Sequence, residues 1–198
     1  MPKSVEFYFD YGSPTSHLAF FELRKIARAA GAEIAWRPFL LGAVFKAINS
    51  HSPVDIAAKG KWMMWDLANY AKRYGVPFVH NPHFVINTLP LMRGALVAER
   101  RGELERYSEA MFNAIWRDAL NMGDPAVIGE ALVKNGFDAQ AYFAGTQEQS
   151  IKDELKARSD AAVARGVFGA PTFFVGDRMW WGQDRLDWVK EALAGAVP

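Results

Sequence analysis

Two serines, Ser13 and Ser16, have the first spacing along this chain that suggests chemistry. They enclose Pro14 and Thr15, follow an alternating apolar segment and precede a helical apolar pattern. A turn from strand to helix gathers unpaired backbone N–H groups and the positive end of the helix dipole, which together favour a bound anion. A serine here is often only an N-cap. Its hydroxyl can nevertheless donate a hydrogen bond to a thiolate that another molecule supplies.

A proline far along the chain is the second candidate feature. Pro171 follows Gly169 and Ala170 and stands directly before the apolar run 172–175. Such a proline can simply begin an edge strand. If its peptide bond is cis and it lies beside the Ser13 turn, the Ala170 backbone is free to pair with a peptide-like ligand.

A third candidate segment, Trp-Trp-Gly-Gln-Asp-Arg, runs from Trp180 to Arg185 just before the last helical pattern. Gln183 or Asp184 at the start of a helix is most often a cap. A carboxylate in the same cleft also suits the ammonium of a γ-glutamyl group. We expect both roles here.

Histidines and cysteines add little to this set. His17 lies one turn beyond Ser13, where it either tunes the site or packs as a partly buried side chain. His80 and His83 have loop spacing and no convincing third ligand, so we predict no metal site. The complete absence of cysteine excludes disulfides, thiolate zinc sites and any dithiol chemistry of the chain itself.

The composition favours one well-packed domain, with room for a second lobe inserted into it, and a small partner. The 198 residues carry 23 Lys and Arg against 22 Asp and Glu, so no strong field points to nucleic acid or an acidic membrane surface. No apolar run approaches the roughly 18 residues of a membrane helix. The first residues do not resemble a signal peptide. We therefore expect a soluble, cytoplasmic protein that does not bind membranes.

Alternation and turn signals divide the chain into strands and helices. Strands are predicted at 5–9, 33–39, 171–175 and 179–181, with a helix from Pro14 to Ala30 that Gly31 ends and a last helix at 186–193. Between residues 40 and 165 the pattern is entirely helical, over 61–74, 89–101, 103–120, 125–135 and 147–165. The order is β-α-β, a helical insertion, then β-β-α.

That order is typical of thioredoxin-like proteins, in which the turn after the first strand carries Cys-x-x-Cys and a cis-proline lies beside it. Ser13 and Ser16 occupy the two cysteine positions. We predict an α/β, thioredoxin-like fold with an all-helical domain inserted after the second strand. The thioredoxin-like domain would span 1–40 and 166–198, and the inserted domain 41–165.

Segments 9–16, 167–172 and 179–186 together closely resemble the 2-hydroxychromene-2-carboxylate isomerases, relatives of kappa-class glutathione transferases in the DsbA-like branch. The resemblance spans nearly the whole chain and is most specific in the third segment. It implies a homodimer that binds glutathione, with Ser13 on the sulfur and the Ala170 backbone before cis-Pro171 on the cysteinyl part. It also implies that the γ-glutamyl end lies on Trp181, Gly182, Gln183 and Asp184.

Inside the insertion the resemblance implies four further contacts. Asn49 and Lys59 would lie near glutathione, while Lys46 and Phe84 would lie near the substrate. Both lysines could equally be exposed charges. The chain departs from the family at the Thr15 and His17 positions, one of which is usually aromatic in its members.

The family reaction interconverts 2-hydroxychromene-2-carboxylate and trans-o-hydroxybenzylidenepyruvate in naphthalene-type catabolism. It requires rotation about a carbon–carbon double bond, which becomes possible once a nucleophile has added to the conjugated system. The resemblance implies that glutathione thiolate is this nucleophile. Ser13 would keep it ionised, and Lys59 or Lys46 would stabilise the charge that develops on the pyruvoyl end.

Two other functions stay open at this point. A kappa-like transferase would use the same thiolate to conjugate an electrophile irreversibly or to reduce a hydroperoxide. A non-catalytic thioredoxin-like module would instead bind a peptide along the cis-proline groove and have no affinity for glutathione. Four aromatic residues either wall an apolar pocket or belong to the core: Trp36, Trp62, Phe84 and Trp116.

Overall fold

The sheet determines the architecture of the molecule. The computed structural model describes residues 3–196, and its strands form one mixed sheet in the order β2-β1-β3-β4. Strand β1 pairs in parallel with β2, while the pairs β1–β3 and β3–β4 are antiparallel. This is the thioredoxin-like arrangement that the sequence predicts. The strands are Ser4–Phe9, Glu33–Pro38, Thr172–Val175 and Arg178–Trp181.

The first helix, α1, spans Pro14–Ala30 and has the ends that its sequence indicates. The Ser13 hydroxyl accepts a hydrogen bond from the Ser16 N–H at 3.1 Å, which confirms Ser13 as the N-cap. Pro14 occupies the first helical position, where no donor is needed. Gly31 ends the helix in the left-handed conformation at φ 61°.

Between β2 and β3, all regular elements of the described chain are helical, as predicted. Their division into a separate domain stays a prediction. The long helices begin or end within a few residues of the predicted limits. The elements are α2 Leu41–Ala47, α3 Ala57–Tyr74, α4 Leu89–Arg100, α5 Leu104–Trp116, α6 Pro125–Lys134, α7 Ala139–Gln147 and α8 Gln149–Ala164. A last helix, α9, spans Leu186–Leu193.

The sequence does not predict helices α2 and α7, and three predicted limits differ from the structure: the starts of α3 and α8 and the end of α5. Helix α2 has seven residues, too few to show a helical period. Helix α7 begins at the cap Asp138, whose carboxylate accepts a hydrogen bond from the Ala141 N–H at 3.0 Å. Extended backbone at Glu148 then separates α7 from α8. Helix α5 ends at Trp116 because Ala119, at φ 53°, breaks the predicted continuation to residue 120.

An aromatic core attaches the sheet to the insertion. The rings of Phe7 and Phe173 stack on neighbouring strands with centroids 5.4 Å apart, and Phe9 packs against Phe112 of α5. The indole N–H of Trp116 donates to the Tyr11 carbonyl at 2.8 Å. The backbone just before Ser13 is thereby fixed to the helical part. Among residues 3–196, no helix has the length and apolar content needed to cross a membrane.

Candidate active site

A cavity of about 710 Å³ lies where the α1 turn, the loop before β3, the end of β4 and helices α2 and α3 meet. This volume is in the range of small-molecule sites. The cavity brings together residues from all three segments that the sequence singled out. Of the predicted site residues, its lining includes Ser13, Lys59, Phe84, Ala170, Trp181, Gly182, Gln183 and Asp184.

Three predicted site residues do not belong to this lining. Pro171 is buried directly behind Ala170. Asn49 is exposed next to the lining residue Ser50 and adopts φ 54°, a conformation that asparagine tolerates better than most residues. Lys46 is exposed in the last turn of α2. The assigned contacts of Asn49 and Lys46 stay predictions.

The Ser13 hydroxyl is the centre of the site. Only 4% of Ser13 is exposed, and its Oγ lies at the N-terminus of a 17-residue helix. Three oxygens form a triangle there: Ser13 Oγ lies 2.7 Å from Thr15 Oγ1 and 3.0 Å from the Ala170 carbonyl oxygen. Thr15 Oγ1 donates to the same carbonyl at 2.9 Å. The hydroxyls therefore join the α1 turn to the loop before β3.

The loop before β3 has the backbone geometry that the resemblance implied. The Ala170–Pro171 peptide bond is cis, and so is the Phe84–Val85 bond on the far wall. Among residues 3–196, no protein acceptor pairs with the Ala170 N–H. The Pro171 carbonyl accepts from the Gly182 N–H at 3.0 Å, which fixes the loop to the end of β4. Ala170 thus presents a fixed donor at the cavity.

The segment after β4 forms the next wall. The Trp181 indole lies so close to Gly169 that a Cβ there would overlap the ring nitrogen, and Trp181 remains 48% exposed. Gln183 is buried, and its carbonyl accepts from the Tyr74 hydroxyl at 2.7 Å. Asp184 is exposed and pairs with Arg185. The segment therefore combines a firmly held backbone with an accessible carboxylate.

Helix α3 supplies a wall that the sequence analysis did not identify as a unit. Lys59, Trp62, Met63 and Asp66 all line the cavity, and their spacing places them on one helix face. Lys59 and Asp66 are seven residues apart, about 10 Å along the axis. Burial and the neighbouring charge of Asp184 raise the pKa of Asp66. One end of this helix face is therefore cationic. The other end carries Asp66, beside Asp184 of the segment after β4.

Asp10 is a residue that holds the site in place and that the sequence analysis did not identify. This residue is 2% exposed. Its Oδ1 accepts from the Gly12 N–H at 2.8 Å and from the Thr88 hydroxyl at 2.7 Å, while Oδ2 accepts from the Leu41 N–H at 2.9 Å. Burial raises the pKa of Asp10, and these three hydrogen bonds oppose that rise. One carboxyl group thus fixes the α1 turn and the starts of α2 and α4.

His17 is part of the packing and does not line the cavity. It has no exposed surface, and its Nε2 lies 2.9 Å from the Pro77 carbonyl, to which a neutral ring can donate. Burial is the main cause that lowers its pKa to about 4, so the ring is neutral at pH 7. No group in the described chain pairs with its Nδ1. The packing alternative from the sequence therefore fits better.

The four aromatic residues with two possible roles divide between core and cavity, and Phe84 belongs to both because its ring also packs on Trp116. Trp116 is fully buried in the core and Trp36 packs against it. Trp62 and Phe84 line the cavity, and Trp62 is 61% exposed. Hydrophobicity alone could not separate these roles, because the sequence pattern does not reveal which surface of a strand, helix or loop packs towards Ser13.

Comparisons with known proteins agree with this geometry. A family model described as "DSBA-like thioredoxin domain" matches residues 4–194. The chain is 32% identical to a 2-hydroxychromene-2-carboxylate isomerase of Pseudomonas sp. (strain C18) over 197 residues, which cover 97% of this chain and 91% of the relative. It is 25% identical to human glutathione S-transferase kappa 1 over 218 residues, covering 100% and 96% of the two chains.

A solved structure gives the same result. A 2-hydroxychromene-2-carboxylate isomerase superimposes with a TM-score of 0.88 at 30% identity, covering 97% of this chain and 95% of that one. The resemblance noted in the sequence is confirmed. The chain belongs to the DSBA-like thioredoxin family, in the branch that contains the 2-hydroxychromene-2-carboxylate isomerases.

Proposed function

We propose that this chain is a glutathione-dependent isomerase that interconverts 2-hydroxychromene-2-carboxylate and trans-o-hydroxybenzylidenepyruvate, or a close aromatic analogue, in naphthalene-type catabolism. The observation that carries the proposal is the Ser13 hydroxyl. It is nearly buried, stands at a helix N-terminus and shares one cavity with the Ala170 loop and the Trp181–Asp184 segment. Its isomerase relatives at 32% identity support the reaction class.

The donors and acceptors of the cavity fit glutathione. Ser13 suits the thiol, and the unpaired Ala170 N–H suits the cysteinyl carbonyl. Asp184 and Asp66 suit the ammonium of the γ-glutamyl end, beside Gln183. Lys59, with Asn49 nearby in the chain, suits the glycyl carboxylate. When bound, glutathione supplies a thiolate nucleophile whose reversible addition makes the double bond of the substrate rotatable.

The chain contributes an environment that is ready before substrate arrives. The Ser13 hydroxyl and the N-terminus of α1 favour the ionised sulfur near neutral pH. Phe84 and Trp62 present apolar surface to an aromatic ring and restrict water. A lysine, either Lys59 or Lys46, stabilises negative charge that develops on the pyruvoyl end. Preorganised groups of this kind act most strongly in a partly dry site.

The small number of lysine and arginine side chains in the cavity favours a second function. Lys59 is the only lysine or arginine among the described residues that line the cavity. If Lys59 binds the glycyl carboxylate of glutathione, a substrate carboxylate has no lysine of its own unless Lys46 reaches in. An uncharged electrophile or a hydroperoxide would need none. This supports a kappa-like glutathione transferase or peroxidase as the alternative, in line with the kappa relatives.

We also propose that the protein is a homodimer in the cytoplasm. Trp65 of helix α3 lies outside the cavity lining and is 63% exposed, and Ile56 directly before the helix is 53% exposed. A second subunit would cover such surface. Light scattering coupled to size-exclusion chromatography measures the mass, and a monomer would contradict this part of the proposal.

The first test is a calorimetric titration with glutathione, repeated with S-methylglutathione, at pH 7. We expect glutathione to bind, and binding to weaken when the thiol is blocked, because the ionised sulfur then loses its interaction with Ser13. An assay of chromene isomerisation follows, with an uncharged electrophile as the competing substrate. Turnover of the electrophile alone would favour the transferase. No binding of glutathione or of S-methylglutathione would leave the peptide-binding module as the function.

A further inference from the structure

We propose that Thr15 is a positioning residue that releases the Ser13 proton for the bound thiolate. This proposal rests on the proposed function, because it assigns a role to Thr15 in the site where glutathione sulfur would lie. Thr15 lines the cavity and is partly exposed. Nothing about its helix requires a hydroxyl there, because Ser13 already caps α1.

The role of Thr15 depends on how many hydroxyl protons are available for hydrogen bonds in the site. Three oxygens lie within 3.0 Å of one another: Ser13 Oγ, Thr15 Oγ1 and the Ala170 carbonyl. The two hydroxyls have one proton each, and the carbonyl has none. The carbonyl can be satisfied by Thr15 at 2.9 Å or by Ser13 at 3.0 Å. When Thr15 donates to the Ala170 carbonyl, the Ser13 hydroxyl is not needed as its donor. The Ser13 proton can then form a hydrogen bond to an anionic sulfur.

Loss of the Thr15 hydroxyl reverses this assignment. Ser13 is then the only side chain in the triangle that can donate to the Ala170 carbonyl. A Ser13 proton that turns to the sulfur would leave this part-buried carbonyl without its protein donor, which is costly. Ser13 must therefore divide one proton between two acceptors. The hydrogen bond that stabilises the thiolate becomes weaker although Ser13 itself is unchanged.

The prediction is tested on the whole protein saturated with glutathione, by following thiolate ultraviolet absorbance against pH. Thr15→Val keeps the side-chain shape and removes the donor. We expect it to raise the apparent pKa of the bound thiol by about 1, because a hydrogen bond to an ion is partly lost. Thr15→Ser restores the donor and should return the pKa to the wild-type value. At pH 7 the activity of Thr15→Val should fall and recover at higher pH.

Thr172→Val is the matched control. The Thr172 hydroxyl donates to the Gly169 carbonyl at 2.8 Å in the same loop, outside the oxygen triangle. This variant should leave the pKa of the bound thiol unchanged. An equal rise in Thr172→Val, or failure of Thr15→Ser to restore the pKa, would show that loop order and not the donor is responsible.

The outcomes separate the two proposals. A wild-type protein that binds glutathione as a thiolate, together with an unchanged pKa in Thr15→Val, overturns the role of Thr15 and leaves the proposed function intact. A wild-type protein that shows no bound thiolate overturns both. A raised pKa in Thr15→Val that Thr15→Ser reverses supports the role of Thr15.

Discussion

The two walls of the cavity differ in how firmly their side chains are held. At the thiol end, Ser13 is 4% exposed and bonded to Thr15, Ser16 and Ala170. On the α3 wall, Trp62 is 61% exposed and Lys59 is exposed as well. Donors in fixed positions stabilise a single charge most strongly. Exposed side chains that can change conformation can accommodate aromatic substrates of different shapes. Under the proposed function, the thiol end would determine the chemistry and the α3 wall would select the substrate.

Two tryptophans give the largest expected difference: Trp116, which holds the backbone before Ser13 from the core, and Trp62 on the α3 wall. Trp116→Ala removes a fully buried ring and its hydrogen bond to the Tyr11 carbonyl, so the free energy of unfolding should fall by about 3 to 5 kcal/mol. Trp62→Ala should change stability by less than about 0.5 kcal/mol, because that ring is mostly exposed. Urea denaturation measures both. Similar losses in the two variants would contradict the difference between the walls.

Two serines on the same helix test the thiol end itself. Ser13→Ala should lower turnover by about 10² to 10³-fold, because the developing or bound anion loses a preorganised donor. Its stability should fall by only about 0.5 to 2 kcal/mol, the usual cost of an N-cap. Ser16→Ala is the control, since the buried Ser16 hydroxyl has no hydrogen-bond partner in the described chain. Full activity of Ser13→Ala would refute the assigned role.

The lowered pKa of His17 predicts how the free energy of unfolding responds to acid. Its pKa is lowered from 6.5 to about 4 in the folded protein, so the folded state resists protonation. This contribution is complete above pH 6.5 and is lost as the pH falls towards 4, by about 3 kcal/mol in total. His17→Gln should remove this dependence.

The free energy of unfolding, measured between pH 7 and pH 4, should therefore fall less steeply in His17→Gln than in the wild type. Asp10, whose pKa burial raises, has the opposite dependence, but it contributes equally to both proteins. Parallel profiles would mean that folding does not lower the pKa of His17.

Two lysines of α3 give the smallest effect. Lys59→Ala should raise the KM for glutathione or for a carboxylate substrate by about two- to fivefold, since an exposed ion pair contributes little. Lys61 lies on the same helix, outside the cavity lining, and Lys61→Ala should leave the KM unchanged. Identification of which KM rises assigns Lys59 to glutathione or to the substrate. Equal changes in both variants would indicate a general electrostatic effect.

Local signals explain what the sequence predicts well. The Ser13 cap, the Pro14 helix start and the Gly31 stop each depend on a few neighbouring residues, and all three are confirmed. Likewise, the predicted alternation identifies all four strands of the described sheet. The strand pattern and the caps together were sufficient for the fold.

Contacts between distant segments explain what the sequence does not predict. Asp10 and Thr88 are 78 residues apart, and no local pattern relates them. The α3 stripe that contains Asp66 has visible helical spacing, but only the packed structure shows that it faces Ser13. Helix α2 is too short for a periodic signal. The information missing from the sequence in each case is the tertiary packing.

The Asp10 carboxyl group has a consequence for protein engineering. Its three donors come from the strand side of the molecule and from two separate helices of the insertion. A chimera that joined this sheet to the helices of a relative would leave the buried Asp10 carboxyl group without some of its donors, unless the relative presents equivalent groups at both junctions. Recombination between family members should therefore exchange the Asp10, Leu41 and Thr88 positions together, as one set.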